Sequence, residues 1–151
     1  MFHTKVGRIR MNKTERILFV DDDTIVLRVL RRSMEEDYDV ETADSGLKAL
    51  EILRGTSPIS CVVSDMRMPI MDGVELVQKI SLEWPDIPCI ILTGNQDEES
   101  ERRAIEEANV FCLMNKPSPR GEIIEAIEGA LKCRSEKEAP AKSDTHFTMS
   151  A

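Results

Sequence analysis

The chain has no apolar run of the roughly 20 residues that a membrane-spanning helix needs. Its basic start (Lys5, Arg8, Arg10, Lys13) lacks the apolar stretch of a secretory signal. Histidine is scarce. His3 and His146 both lie in terminal segments without pattern, so neither offers a credible catalytic base. The four cysteines, Cys61, Cys89, Cys112 and Cys133, contain no CxxC pair. Three of them sit in apolar strand-like runs, which reads as buried thiols in a reducing compartment rather than a zinc site or a disulfide framework. Positive charge is also short: the formal net charge of −8 over 151 residues argues against nucleic acid as a default ligand. Only residues 1–16 run the other way, with Lys5, Arg8, Arg10, Lys13 and Arg16 against Glu15. There is no internal repeat.

What remains is one domain's worth of chain, 41% hydrophobic and 32% charged, enough apolar material for a core. From Arg16 to Lys132, apolar runs alternate with helical patterns. Strands are expected at 16–20, 39–43, 59–65, 87–93 and 109–114. Between them fall five helices. The first, over 24–36, buries Val26, Leu27, Leu30 and Met34. The second follows Asp44-Ser45, an N-cap, and turns Leu47, Leu50 and Leu53 inward. The third starts at Gly73 with Leu76, Val77 and Ile80 on one face. The fourth, 95–108, is mostly polar, with Ala104, Ile105 and Ala108 to bury and a capping-box-like Asn95–Glu98 start. The fifth opens on Ser118-Pro119, cap and first-turn proline, and buries Ile123, Ile124, Ile127 and Leu131. Five βα units predict an α/β fold, a doubly wound five-stranded parallel sheet with helices on both faces. The strands are too apolar for one wet face. Residues 1–14 read as a flexible leader, 15–133 as the domain and 134–151 as a disordered tail.

In such a sheet, ligands bind beyond the carboxyl ends of the strands. Asp21, Asp22 and Asp23 follow the first strand, Asp65 ends the third within "CVVSDMRMPIMDG", Thr93-Gly94 ends the fourth, and Lys116-Pro117 follows the fifth. Clustered carboxylates raise one another's pKa unless a cation is present. Oxygen-only donors suit a hard ion such as Mg²⁺. Lys116 adds a mobile positive charge for a phosphoryl oxygen, and Thr93 a hydroxyl donor. The set predicts a phosphoryl site with Mg²⁺ cancelling charge and one carboxylate as nucleophile. Asp23 reads as a helix cap rather than a ligand. Met66, Met68 and Met71 read as loop packing rather than a metal–thioether site.

"ILFVDDD", "VVSDMRMPIMDG", "IILTG" and "NKP", in this order, resemble the CheY-like receiver domain of two-component response regulators over residues 16–132. The resemblance implies a flavodoxin-like (βα)5 fold with strand order 2-1-3-4-5. It makes Asp65 the phosphoacceptor, receiving a phosphoryl group from the phosphohistidine of a histidine kinase. It places Mg²⁺ on Asp22 directly, on Asp21 through water, on Asp65 and on the backbone carbonyl of Arg67. Lys116 pairs with Asp65 and then with the phosphoryl group, Pro117 follows a cis peptide, and Thr93 swings toward the phosphoryl group. The output face is the fourth helix, fifth strand and fifth helix.

Two departures from the family pattern stand out. Leu113 stands where a switch tyrosine or phenylalanine is usual, and Phe111, two residues earlier, is expected on the same strand face by period two. Arg67 and Asn95 flank the route of the hydrolytic water and are expected to set the lifetime of the phosphoryl group, Arg67 by shielding it. The resemblance implies a cytoplasmic signalling protein, no enzyme beyond its own phosphorylation and dephosphorylation. Its partners are a histidine kinase or phosphotransfer protein and a downstream protein, with a homodimer allowed and neither nucleic acid nor membrane expected. The receiver stands alone or belongs to a longer regulator. Two other readings stay open. "DDDTI" is close to the nucleophile motif of haloacid-dehalogenase-type phosphatases, with Asp21 as nucleophile and Asp23 as acid. A receiver-like binding module that never phosphorylates is the other.

Overall fold

The computed structural model describes residues 14–55, 57–94 and 98–138. Five strands, β1 (Arg16–Val20), β2 (Asp39–Ala43), β3 (Cys61–Asp65), β4 (Cys89–Thr93) and β5 (Cys112–Asn115), form one sheet in the order β2-β1-β3-β4-β5. All four pairings are parallel. The helices are α1 (Thr24–Met34), α2 (Gly46–Leu53), α3 (Gly73–Glu83), α4 (Glu98–Glu107) and α5 (Arg120–Glu138).

The strands are apolar throughout because both faces are covered. Along β1, Ile17 and Phe19 enter one core layer and Leu18 and Val20 the other, as period-two alternation requires. Leu27 and Met34 of α1 and Ile123, Ile127 and Ala130 of α5 fill the first layer. Ala49, Leu50 and Leu53 of α2 and Val74, Leu76, Val77 and Ile80 of α3 fill the second, joined by Ala108 after α4.

Several element ends differ from expectation, each for a local reason. Pro88 has no N–H to give a ladder, so β4 begins at Cys89 rather than residue 87. Asn109 has φ 55°, a left-handed conformation that interrupts extended backbone, and β5 begins only at Cys112. Ser118 does not cap α5: its hydroxyl donates to the Asn115 carbonyl, and the first helical N–H groups, of Glu122 and Ile123, reach the Pro119 carbonyl. The helix then runs to Glu138, past the expected boundary at 133, with neither glycine nor proline between 134 and 138. The Asn95 cap and the side chains of Ala104 and Ile105 fall outside the described residues.

Leu47 does not turn inward. It is 58% exposed, while Gly46, Ala49, Leu50 and Leu53 face the sheet. At 100° per residue those four positions share one stripe, and Leu47 stands a quarter-turn away from it. A Cβ at residue 46 would lie 2.6 Å from the Met71 sulfur, so any larger residue there would force the thioether to move.

The contrast gives a direct test. Ile91 is fully buried, and Ile91→Ala is expected to cost about 2–5 kcal/mol in urea unfolding. Leu47→Ala is expected to stay within about 0.5 kcal/mol of the parent, as exposed substitutions do.

Candidate functional site

Three strand tips and one loop bring the acidic residues and the lysine together. Beyond β1, the Asp21 N–H donates to the Ala43 carbonyl (3.1 Å), which holds the chain against the end of β2 as it turns into α1. Asp21 is 3% exposed. Its Oδ1 accepts from the Asp23 N–H at 2.9 Å, and its Oδ2 faces Lys116 Nζ at 3.3 Å. Asp22 is exposed beside it. Asp23 caps α1, accepting from the N–H groups of Ile25 (2.9 Å) and Val26 (3.4 Å), in keeping with the preference of aspartate for that end.

Asp65 closes β3. The Met66 N–H donates to the Leu92 carbonyl (2.9 Å), so β4 fixes the turn immediately after it. The Gly73 N–H donates to the Met66 carbonyl (2.8 Å) and draws the start of α3 onto the strand end. A Cβ at residue 73 would sit 2.3 Å from the Asp65 carbonyl oxygen, so only glycine permits this approach. Between them the loop turns at Ile70, which has φ 72° and is 93% exposed. A β-branched residue in that region carries strain of about 1–3 kcal/mol.

Lys116 arrives from β5. Its N–H donates to the Thr93 carbonyl (2.8 Å), and its peptide bond to Pro117 is cis. Its Nζ reaches Asp65 Oδ1 at 3.1 Å as well as Asp21. Thr93 ends β4, 1% exposed and paired with Asn115. One carboxylate oxygen from each of Asp21, Asp22 and Asp65 lies within 4.8 Å of the others. Burial pushes the Asp65 carboxyl above its ordinary range, the Lys116 hydrogen bond partly offsets this, and the charges of Asp21 and Asp22 push it further up. For Lys116, burial favours the neutral amine, but Asp65 and Asp21 outweigh it and hold the ammonium above its ordinary value. The cluster therefore carries more negative charge than its one ammonium balances. Its all-oxygen donor set fits a hard divalent cation.

Sequence reasoning anticipated the pairing of Lys116 with Asp65 but not with Asp21. It also missed the capping box on α3, in which Asp72 and Glu75 bond each other's backbone N–H groups, although "DGVE" carries the signature. Phe111 does not share the face of Leu113. It precedes β5, its N–H bonds the Cys89 carbonyl, and its ring packs 3.7 Å from where a Cβ on Gly129 of α5 would stand. Leu113 packs into the opposite layer. Period two fails here because Phe111 lies outside the regular strand, after left-handed Asn109. Arg67 is exposed in the β3–α3 loop, and Asn95 lies outside the described residues.

Comparison with known proteins agrees with this geometry. The family model for the response regulator receiver domain matches residues 17–128. The chain belongs to that family, the receiver domains of two-component response regulators. It is 36% identical over 126 residues to the response regulator MprA of Mycobacterium sp. (strain KMS), covering 83% of this chain and 54% of that protein. It is 35% identical over 134 residues to the transcriptional regulatory protein GlrR of Escherichia coli (strain K12), covering 88% of this chain and 29% of that protein. The chain thus spans between about a quarter and just over half of such relatives. Among solved structures, a response regulator receiver domain protein from Clostridium thermocellum matches with TM-score 0.74 and 30% identity, over 80% of this chain and 97% of that one. A structure described as adenylate cyclase from Rhodopirellula baltica matches with TM-score 0.77 and 39% identity, over 85% and 98%. No helix among the described residues is long and apolar enough to cross a membrane.

The raised pKa of Asp65 has a definite sign for stability. Between the ordinary value of 3.8 and the raised native value, the folded state holds a proton that the unfolded state has lost. Stability therefore falls as pH rises through that window, and the full cost of the charge is present above it. Asp65→Asn is expected to melt at a higher temperature than the parent at pH 7 in EDTA, with the gap closing as pH is lowered toward 4. Added Mg²⁺, a hard ion to which the all-oxygen cluster of the folded state is suited, is expected to raise the melting temperature of the parent more than that of the variant.

Proposed function

We propose that Asp65 is the phosphoacceptor of this receiver. In this reading a carboxylate oxygen of Asp65 attacks the phosphorus of a phosphohistidine on a kinase or phosphotransfer protein. The P–N bond breaks, the imidazole leaves with the bonding pair, and the aspartyl phosphate carries the signal. Lys116 holds Asp65 before transfer and neutralises a phosphoryl oxygen during it. Thr93 donates its hydroxyl to the same group afterwards. Asp22, Asp65 and the Arg67 carbonyl would hold Mg²⁺ directly and Asp21 through water. The ion, when bound, supplies positive charge for the transferring oxygens. The observation that carries the proposal is the Lys116 ammonium, 3.3 Å from Asp21 and 3.1 Å from Asp65 at the converging strand tips.

The phosphatase reading is disfavoured by the same geometry. Asp21 is buried and engaged by Lys116 and the Asp23 N–H, and Asp23 spends an oxygen on the cap of α1. Output is assigned to the face of α4, β5 and α5 acting on a protein partner in the cytoplasm. Relatives bearing the name of transcriptional regulators are longer than the matched segment, and DNA contact in such proteins is not assigned to the receiver. Leu113 takes the switch position without an aromatic ring. The receiver proper is taken as residues 15–133, and the leader and tail are assigned no role.

Acetyl phosphate with Mg²⁺, followed by intact mass and peptide mapping, tests the assignment. One phosphoryl group on Asp65, absent in Asp65→Asn, is the expected result. Label on Asp21 would favour the phosphatase chemistry, and no label with any donor would favour a binding module. Lys116→Ala is expected to slow labelling by roughly 10²-fold, the scale for losing one preorganised charge stabiliser. Arg67→Ala is expected to shorten the life of the phosphorylated protein, and an unchanged dephosphorylation rate would remove Arg67 as a shield.

A further inference from the structure

A second polar cavity lies apart from the strand-tip cluster. It is a cleft of about 330 Å³ between α1 and α2, over the outer edge of β2. From α1 it is lined by Thr24, Leu27, Arg28 and Arg31, positions that recur at helical spacing and share one face. Thr42, Asp44 and Lys48 close the other side. Three cations thus face one carboxylate in a chain whose net charge is −8.

The charges are not spent on neighbours. Arg16, Arg54, Arg102, Lys116 and Arg120 each have a carboxylate partner. Among the described residues, Arg28, Arg31 and Lys48 have none. The reason is local: α1 contains no acidic residue that could pair along the helix. Arg31 is held in place instead, its guanidinium donating to the Val40 carbonyl at 3.1 Å and to Thr42 Oγ1 at 3.5 Å. Two of its N–H groups cover the open edge of β2, and the rest of the fork remains for another acceptor.

We propose that this cleft binds a small phosphomonoester that also carries hydroxyl groups, such as a sugar phosphate. A planar guanidinium beside an ammonium matches a phosphate dianion. The threonine hydroxyls can donate to the same group. Asp44 can only accept, so it favours a ligand with hydroxyls beside its phosphate and discriminates against a bare anion. Among the described residues no aromatic ring lines the cleft. Its volume is at the lower end of the range for small-ligand pockets. Two lining residues adjoin the acidic cluster along the chain: Asp44 follows Ala43, whose carbonyl holds the Asp21 N–H, and Thr24 follows the cap Asp23.

The test uses the full chain in EDTA with glucose 6-phosphate and inorganic phosphate as probes, read by calorimetry and by amide shifts in NMR. Saturable binding of glucose 6-phosphate that perturbs Thr24 and Thr42 is expected, tighter than that of inorganic phosphate. Arg28→Gln combined with Lys48→Gln should weaken it at least tenfold, with an unchanged fold by circular dichroism and unchanged labelling of Asp65 by acetyl phosphate. Lys79→Gln combined with Lys132→Gln, which removes the same charge elsewhere, should leave binding intact, and so should Lys116→Ala. Absence of saturable binding, equal loss in the Lys79/Lys132 control, or loss in Lys116→Ala would each overturn the proposal. Failure here leaves labelling at Asp65 untouched, so the receiver reading and this site stand or fall separately.

Discussion

One charge imbalance organises this molecule. Three carboxylates meet at the carboxyl edge of the sheet, and a single ammonium stands among them. Bare carboxylates at such distances repel, and burial makes the repulsion stronger. The arrangement is tolerable only because Lys116 crosses from β5 over the tip of β4 to reach β3 and β1. Its stem passes close to Gly94, where a Cβ would stand in ordinary contact with it at 3.8 Å. The lysine backbone is pinned by the Thr93 carbonyl, and the register Thr93↔Asn115 sets the height from which the side chain reaches out. Sheet order and register therefore bring Lys116 to Asp65.

The β3–α3 loop transmits that constraint into the helical layers. Gly73 lets α3 begin against the Asp65 carbonyl, and the Asp72–Glu75 box satisfies the first free N–H groups of the helix. Met71 lies back on Gly46, so the same loop also fixes the start of α2. Pro69 and Ile70 turn the chain between these anchors, with the Met71 N–H closing onto the Pro69 carbonyl at 2.7 Å. An isoleucine held at positive φ and almost fully exposed gains nothing from local packing. It is held by the two anchors on either side.

The fold and the core of the site were legible because they rest on periodicity and on residues that end strands. Alternating βα patterns implied the parallel sheet, and the aspartates, threonine and lysine announced themselves by closing apolar runs. Features that depend on three-dimensional proximity were not legible. Nothing in the spacing tells that Lys116 reaches Asp21 as well as Asp65, a contact spanning 95 residues. Leu47 was misread because leucines at 47, 50 and 53 look like one stripe, whereas small Gly46 and Ala49 mark the face that approaches the sheet. Phe111 was misplaced because a period-two argument assumes extended backbone, and Asn109 leaves it.

That misplacement narrows how a change at Asp65 could travel. Phe111 is level with Cys89, whereas Thr93 is level with Asn115. At about 3.3 Å per residue the two levels are separated by roughly 13 Å, too far for the ring to follow the Thr93 side chain. Leu113 is the side chain on β5 that packs into the layer shared with α3. An aliphatic residue there can fill or vacate space but cannot exchange a buried hydroxyl for an exposed one. Polar contacts instead tie α4 to its neighbours: Arg103 approaches Asp72 at 3.9 Å, the Gln78 amide reaches the Glu107 carbonyl, and Ser81 reaches that of Ala108. Exposed pairs of this kind are individually weak. Because Asp72 caps the helix that starts on the Asp65 carbonyl, the Arg103 contact joins α4 to the same loop that leaves Asp65.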